Sequence, residues 1–270
     1  MMPEDEFVTA LRCRLRLPYP SYLPRFRRVR GPAQQCNHQY SKGSAVCGQA
    51  LVRADGSADA KMVHAQVCNI GGGVDRRHNS LRDWVRTWLL TVCHVPWADT
   101  EQHVAEWDRW VPAKCALTGA RVTRTVQTAA GAVQEPVKVL EQARLDVGFR
   151  DEQGNLGYVD VSYANASTTG DPATVLARAH TAGKAASERE DAKRKRYPPA
   201  LNPHVALIPF VVEARGRLGA EVLPFLRQHA PADPVLRSAV LARATRELSI
   251  ITQRGLAALL LAAESRPLEV

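Results

Sequence analysis

Two aspartates in the stretch "RLDVGFRDEQGNLGYVDVSYA", residues 144 to 164, offer the clearest chemistry in this chain. Asp146 lies between Leu145 and Val147, and Asp160 between Val159 and Val161, so each carboxylate interrupts an apolar neighbourhood. Alternate side chains of a strand share a face, and a lone carboxylate taken out of water is costly, so a buried pair requires a cation. Converging carboxylates suit a hard divalent ion, Mg²⁺ or Mn²⁺, which takes oxygen ligands and keeps several waters. The competing reading turns the aspartates to solvent or pairs them with Arg144 or Arg150.

A second group is Cys36, Cys47, His64 and Cys68, three thiols and an imidazole, the ligand set of a closed structural Zn²⁺ site. Ten residues separate the first two and sixteen separate Cys47 from His64, with His64-x3-Cys68 as a compact second half. His38 is an alternative for Cys36 or His64. Residues 36 to 73 carry few large apolar side chains, so a metal would have to supply the folding free energy that burial cannot. Cys13, Cys93 and Cys115 fit no ligand pattern and read as packing thiols.

The aspartates need strands to hold them. "ARLDVGF" and "GYVDVSYA" read as two strands joined by "RDEQGNL", where Gly154 and Asn155 supply a turn. Upstream, Leu81, Val85, Trp88, Leu89 and Val92 recur at helical spacing, with Asn79 or Ser80 as a cap. A strand is expected around "HVAEWDRWVPA", then a hairpin or irregular excursion over "GARVTRTVQTAAGAVQEPVKVLEQ". Residues 172 to 196 read as one long helix, "HVALIPFVVEA" as a buried strand, and 219 to 265 as two or three helices broken by Pro231, Pro234 and Gly255. The expected fold is α/β or α+β, ordered helix, three strands, helix, strand, then helices. The boundaries that follow are a basic arm over 1–35, a Cys/His module over 36–75, a core over 76–217 and a C-terminal helical extension over 218–270.

Thirty-six Lys and Arg against twenty-seven Asp and Glu leave a net charge of +9, which suits a polyanionic partner. No apolar run approaches the ~18 residues of a membrane span. The opening "MMPEDEF" lacks a signal-peptide layout, so an intracellular chain with reduced or metal-bound cysteines is expected.

Arg144, Leu145 and Asp146, then thirteen residues, then Asp160 inside "YVDVS", resemble the K/R-P-D, spacer, D pattern of one restriction-like endonuclease. That enzyme, of the PD-(D/E)XK class, lies at the C-terminal end of certain site-specific non-LTR retrotransposon proteins. "RRHNSLRD" resembles the R-H-N/D segment upstream of that domain, "KRKRY" its helix-end K/R-Y, and "IPFVVEARG" its following strand. A Cys-Cys-His-Cys module ahead of the nuclease belongs to the same arrangement, so the resemblance covers roughly residues 36 to 220. Leu145 stands where the family has proline, and Ser162 where the basic motif has lysine. In the retrotransposon branch the lysine comes from the following helix, which here offers Lys184, Lys193 and Lys195.

Helix geometry separates these lysines. At about 100° per residue Lys193 falls within about 20° of Ala186, on the stripe Val175, Ala179, Ala182 and Ala186 that should meet the sheet. Lys184 is rotated from it by about 180°. Lys193 is preferred, with Tyr197 beside it, unless Gly183 kinks the helix. Glu213 and Asp83 are further acids near the expected site, each with a local arginine, Arg215 or Arg86, as the alternative partner.

The resemblance implies a DNA endonuclease in which Asp146, Asp160 and the Val161 carbonyl hold Mg²⁺ or Mn²⁺ and Lys193 acts on water or phosphate. It implies phosphate contacts from "RFRRVR" at 25–30, Arg76, Arg77, His78, Arg144, Arg194, Lys195 and Arg196. DNA is the implied partner, with the parent element's RNA as a second, and the nucleus the implied location. No reverse transcriptase signature lies in the chain, which points to a fragment or remnant of such an element. Two competing classes are an inactive nucleic-acid-binding remnant and a purely structural metal-stabilised domain.

Overall fold

The strand pair around the aspartates forms because both strands are buried on both faces. β6 (Arg144–Arg150) is buried from Leu145 to Phe149, and β7 (Leu156–Ala164) through nearly all of its length. Such runs belong to the middle of a sheet covered on both sides. The computed structural model describes residues 4–14, 36, 38, 47–49, 64–115, 120–128, 131–166 and 171–264. The sheet is mixed: β1 (Trp97–His103) pairs antiparallel with β6, β6 antiparallel with β7, and β7 parallel with β8 (Ala206–Glu213). The parallel pair needs a crossover, supplied by α3 (Pro172–His180) and α4 (Lys184–Arg196). Two short antiparallel pairs lie outside the sheet, β2 (Arg109–Pro112) with β5 (Lys138–Glu141) and β3 (Thr123–Thr128) with β4 (Gly131–Pro136).

One sheet face carries Val147, Phe149, Val159, Val161, Phe210 and Val212 against Leu81, Val85, Trp88 and Leu89 of α2 (Gly73–Thr91). Val222, Phe225 and Leu226 of α5 (Val222–His229) and Ala244 and Leu248 of α6 (Pro234–Glu264) close the same core. On the other face Ala185 and Ala186 of α4 pack on Ala164 and Val211. The mixed α/β architecture with a Cys/His cluster towards its N-terminus is therefore present, and the segment expected as a C-terminal extension shares the central core.

Several local expectations change. The helix expected over 172–196 is two helices, because Gly183 adopts a left-handed φ of 78° that an L side chain rarely takes. α2 starts at Gly73, earlier than the cap expected at Asn79 or Ser80, and the Ser80 hydroxyl donates to the Arg76 carbonyl. The strand expected around 103–113 is split between the end of β1, a 3-10 turn over Ala105–Trp107 and β2. Gly255 does not break α6. A Cβ there would overlap Arg77 Cγ, so the glycine lets α6 close over α2, and burial outweighs its poor helix propensity. α1 (Glu4–Arg14) packs on α6, while "RFRRVR" lies outside the described residues. Among the described residues no helix is long and apolar enough to cross a membrane.

Candidate functional sites: a carboxylate pair and a thiol cluster

β6 and β7 pair in register from Arg150 with Leu156 to Val147 with Val159. The next residues in that register are Asp146 and Asp160. There the ladder is interrupted, and the Val161 N–H donates to Asp146 Oδ2 at 2.7 Å in place of a backbone carbonyl. Both aspartates are buried, and their carboxyl groups lie within hydrogen-bonding reach of each other. His78, on the first turns of α2, approaches Asp146 Oδ1 with Nε2 at 2.8 Å. From α4, Lys193 Nζ lies 2.6 Å from Asp160 Oδ2 and donates to the Val161 carbonyl at 3.2 Å. Lys193 is buried although α4 is charged nearly throughout, because it shares the sheet-facing side of that helix with Ala185, Ala186 and Glu190.

The electrostatics of this group are divided. Burial pushes Asp160 up to about 6, with Asp146 adding to the rise and the Lys193 ammonium opposing it. Asp146 is also penalised by burial, but hydrogen bonds from His78 and from the Asp160 carboxyl hold it below the usual carboxylate range. The Asp146 hydrogen bond raises His78 against the opposing effect of burial. Burial lowers Lys193, and Asp160 restores part of the loss. Two crowded carboxylates, one of them disfavouring its charge, with a backbone carbonyl beside them, form a hard oxygen donor set suited to a divalent cation.

The other residues singled out in the sequence divide by location. Lys184 is exposed at the start of α4 and pairs with Glu188 at 3.8 Å, away from the carboxylates. Tyr197 flanks the pair through its ring, 5.6 Å from Trp107, and burial with the two nearby aspartates pushes its phenol up to about 12. Arg76, Arg144 and Lys195 are exposed. Arg77 is buried and stacks over Tyr163 at 3.9 Å, with no hydrogen-bond partner for Nε and Nη1 among the described residues, so its guanidinium is not presented to an external phosphate. Arg194 pairs with Glu221 at 2.6 Å, and Arg196 donates to the Trp107 carbonyl at 2.8 Å, which ties both to the scaffold. Glu213 pairs with Arg217, and Asp83 with Arg82, so neither joins the carboxylates.

Sequence reasoning missed Arg189. Its Nε reaches Ser162 Oγ at 3.4 Å, one turn before Lys193, and thus brings a second cation beside the strand position where a lysine was expected. The sequence signal was the i, i+4 spacing of Arg189 and Lys193, obscured by the acidic neighbours in "SERED".

Cys36, Cys47, His64 and Cys68 each bring one ligand atom into a group whose members lie within 4.8 Å of one another. Tetrahedral Zn²⁺ with bonds of about 2.0–2.3 Å demands ligand separations of about 3.5–3.8 Å, which this spread accommodates. All four cysteines of the module and core, Cys36, Cys47, Cys68 and Cys93, are free thiols. Burial, with Cys68 and Cys47 nearby, pushes Cys36 up to about 12, so a cation is what would make so crowded a thiol group bind as thiolates. His38 stands behind the cluster, with Nδ1 3.4 Å from Cys36 Sγ and Nε2 2.8 Å from the Leu259 carbonyl of α6. Leu256, Leu260 and Ala263 of α6 pack against the cysteines, so the possible metal site is seated on the C-terminal helix. Cys93 packs against the main core, Cys115 lies outside it, and the Cys13 side chain is outside the described residues.

No family model matches this chain, and no curated protein matches it either.

Proposed function

We propose that the chain is a metal-dependent DNA endonuclease with PD-(D/E)XK chemistry, similar to the nuclease of site-specific non-LTR retrotransposon proteins. One observation carries this reading: the Asp146 and Asp160 carboxyl groups meet just beyond the last paired residues of β6 and β7, while the Lys193 ammonium reaches Asp160 from the following helix at 2.6 Å. Asp146, Asp160 and the Val161 carbonyl would hold Mg²⁺ or Mn²⁺. When bound, such an ion polarises the phosphate and lowers the pKa of the water it holds.

The chain's own residues then have separate tasks. Asp146 is kept in orientation by His78 and the Val161 N–H, the kind of outer support that fixes a metal-binding carboxylate. Lys193, anchored on the Val161 carbonyl, meets the negative charge that grows on phosphate oxygens in the transition state. Ser162 cannot supply that charge, and Lys193 with Arg189 compensates for it, which favours an enzyme over an inactive remnant. Exposed Arg76, Arg144 and Lys195 would contact the DNA backbone, giving affinity with little sequence reading. Cys36, Cys47, His64 and Cys68 would hold a structural Zn²⁺ that fastens the N-terminal module to α6.

Purified protein incubated with supercoiled plasmid and Mg²⁺ or Mn²⁺ should give nicked or linear DNA, with EDTA and Asp160→Ala abolishing the product. Equal cleavage by Asp160→Ala would place any nuclease site elsewhere.

A further inference from the structure

The described residues between Arg109 and Glu141 stand apart from the core clusters. β2 with β5 and β3 with β4 are joined end to end by backbone bonds, Ala113 N to the Val137 carbonyl at 2.7 Å and Val137 N to the Val122 carbonyl at 2.9 Å. Together they make one two-stranded ribbon, from which a short hairpin closed by the antiparallel bridge of Lys114 with Arg121 branches at Ala113 and Val122. The strand running from Gly131 to Glu141 is about 35 Å long at a rise of about 3.3 Å per residue. Among the described residues nothing covers either face: β4 is exposed throughout, Trp110 is 66% exposed and Leu140 47%. Among the described residues none of the ribbon enters an apolar cluster. An isolated two-stranded hairpin is marginal in water, so a bare ribbon of this length is better explained by a surface it meets than by the fold it leaves.

Charge and position identify that surface. The ribbon carries Arg109, Lys114, Arg121, Arg124 and Lys138 against Glu135 and Glu141. Arg109 pairs with Glu141 at 2.8 Å and Arg124 with Glu135 at 3.6 Å. Lys114, Arg121 and Lys138 are exposed, and no acidic side chain pairs with them among the described residues. The base of the ribbon is held by Arg196 of α4, 3.6 Å from Glu141, and the chain then enters β6, where Asp146 follows Glu141 by five residues. The ribbon thus springs from the end of the sheet that holds the carboxylate pair. A two-stranded ribbon fits the major groove of a duplex, about 12 Å wide.

We propose that this ribbon is a nucleic-acid-gripping arm that lies along duplex DNA and delivers the backbone to Asp146 and Asp160. The inference rests on the nuclease reading for its substrate, yet its test is independent of cleavage. Two variants of the full chain serve: Lys114→Glu with Arg121→Glu and Lys138→Glu, and a chain in which residues 114–136 are replaced by Asn-Gly between the bonded pair Ala113 and Val137. Binding to a fluorescent 30-base-pair duplex is followed by anisotropy over a salt series in buffer without added divalent cations, with circular dichroism and thermal melting to verify the fold. Both variants should weaken binding by about tenfold or more, and three lost phosphate contacts should reduce the log–log salt slope by about 2–3.

Unchanged affinity and slope in both folded variants would overturn the arm, as would a wild-type chain that does not bind duplex. Loss of self-association by light scattering with DNA affinity intact would make the ribbon a contact between copies and would also overturn it. Plasmid cleavage measured in parallel separates the two claims. Ribbon-dependent binding without cleavage retains the arm and defeats the nuclease, while cleavage with ribbon-independent binding does the reverse.

Discussion

Replacing Lys193 by methionine should destabilise the metal-free protein only where Asp160 would otherwise be ionised. Methionine fills most of the volume of the lysine stem, so packing changes little and the lost quantity is the ammonium 2.6 Å from Asp160. In the native protein burial puts Asp160 at about 6, above its unfolded value of 3.8. The folded state therefore binds more protons than the unfolded state in that interval, and native stability falls as pH rises from 3.8 towards 6, then levels. Without the ammonium the folded Asp160 keeps its proton above pH 6, and the fall continues. With Lys193 charged across this range, each extra pH unit costs the variant about 1.4 kcal/mol relative to the native chain. The difference between the two should thus grow by about 1 kcal/mol from pH 6 to 7 and by about 2 kcal/mol from pH 6 to 8. Urea unfolding in buffer without added divalent cations at pH 5, 6, 7 and 8, followed by tryptophan fluorescence, measures it. A difference that is the same at pH 5 and pH 8 would refute the coupling of Lys193 to the Asp160 charge.

Other expectations follow from separate parts of the structure. Metal analysis of protein purified without chelators should return about one zinc per chain, and Cys68→Ser should lose it and lower the melting temperature, since the ligands form part of the packing against α6. Gly255→Ala should destabilise by about 1–3 kcal/mol in denaturant unfolding, because the new methyl group overlaps buried Arg77. His229, packed edge-on to Phe149 and Phe225 at 5.2 and 5.0 Å, is held below its ordinary value by burial. The unfolded chain takes up that proton first, so stability should fall as pH drops below about 6.5, and His229→Phe should flatten that part of the profile.

The carboxylate pair was legible in the sequence because strand alternation makes an aspartate among valines expensive, and a pair of them conspicuous. Lys193 was legible because the Ala186-to-Lys193 interval is nearly two full turns, and both residues sit on α4 even though the helix breaks at Gly183. Gly183 marked a possible kink, but Ala179 and Ala182, which continue a small apolar stripe that remains exposed, favoured one unbroken helix. His78 read as a phosphate contact because its partner Asp146 is 68 residues away and meets it only through packing of α2 on the sheet. Arg77 read as a phosphate contact for a similar reason: nothing local indicates that Tyr163 and Gly255 will enclose it. The length of α6 escaped because tertiary burial overrides the helix-breaking tendency of one glycine.

If Asp146 and Asp160 together bind a divalent cation, anomalous diffraction at the manganese edge from crystals soaked in Mn²⁺ will reveal it. A peak is expected about 2.0–2.3 Å from a carboxylate oxygen of each aspartate, the range of hard-cation bonds, and it should vanish in Asp160→Asn crystals. Well-ordered aspartates in contact with Lys193 and His78, with no manganese between them at millimolar Mn²⁺, would contradict that binding.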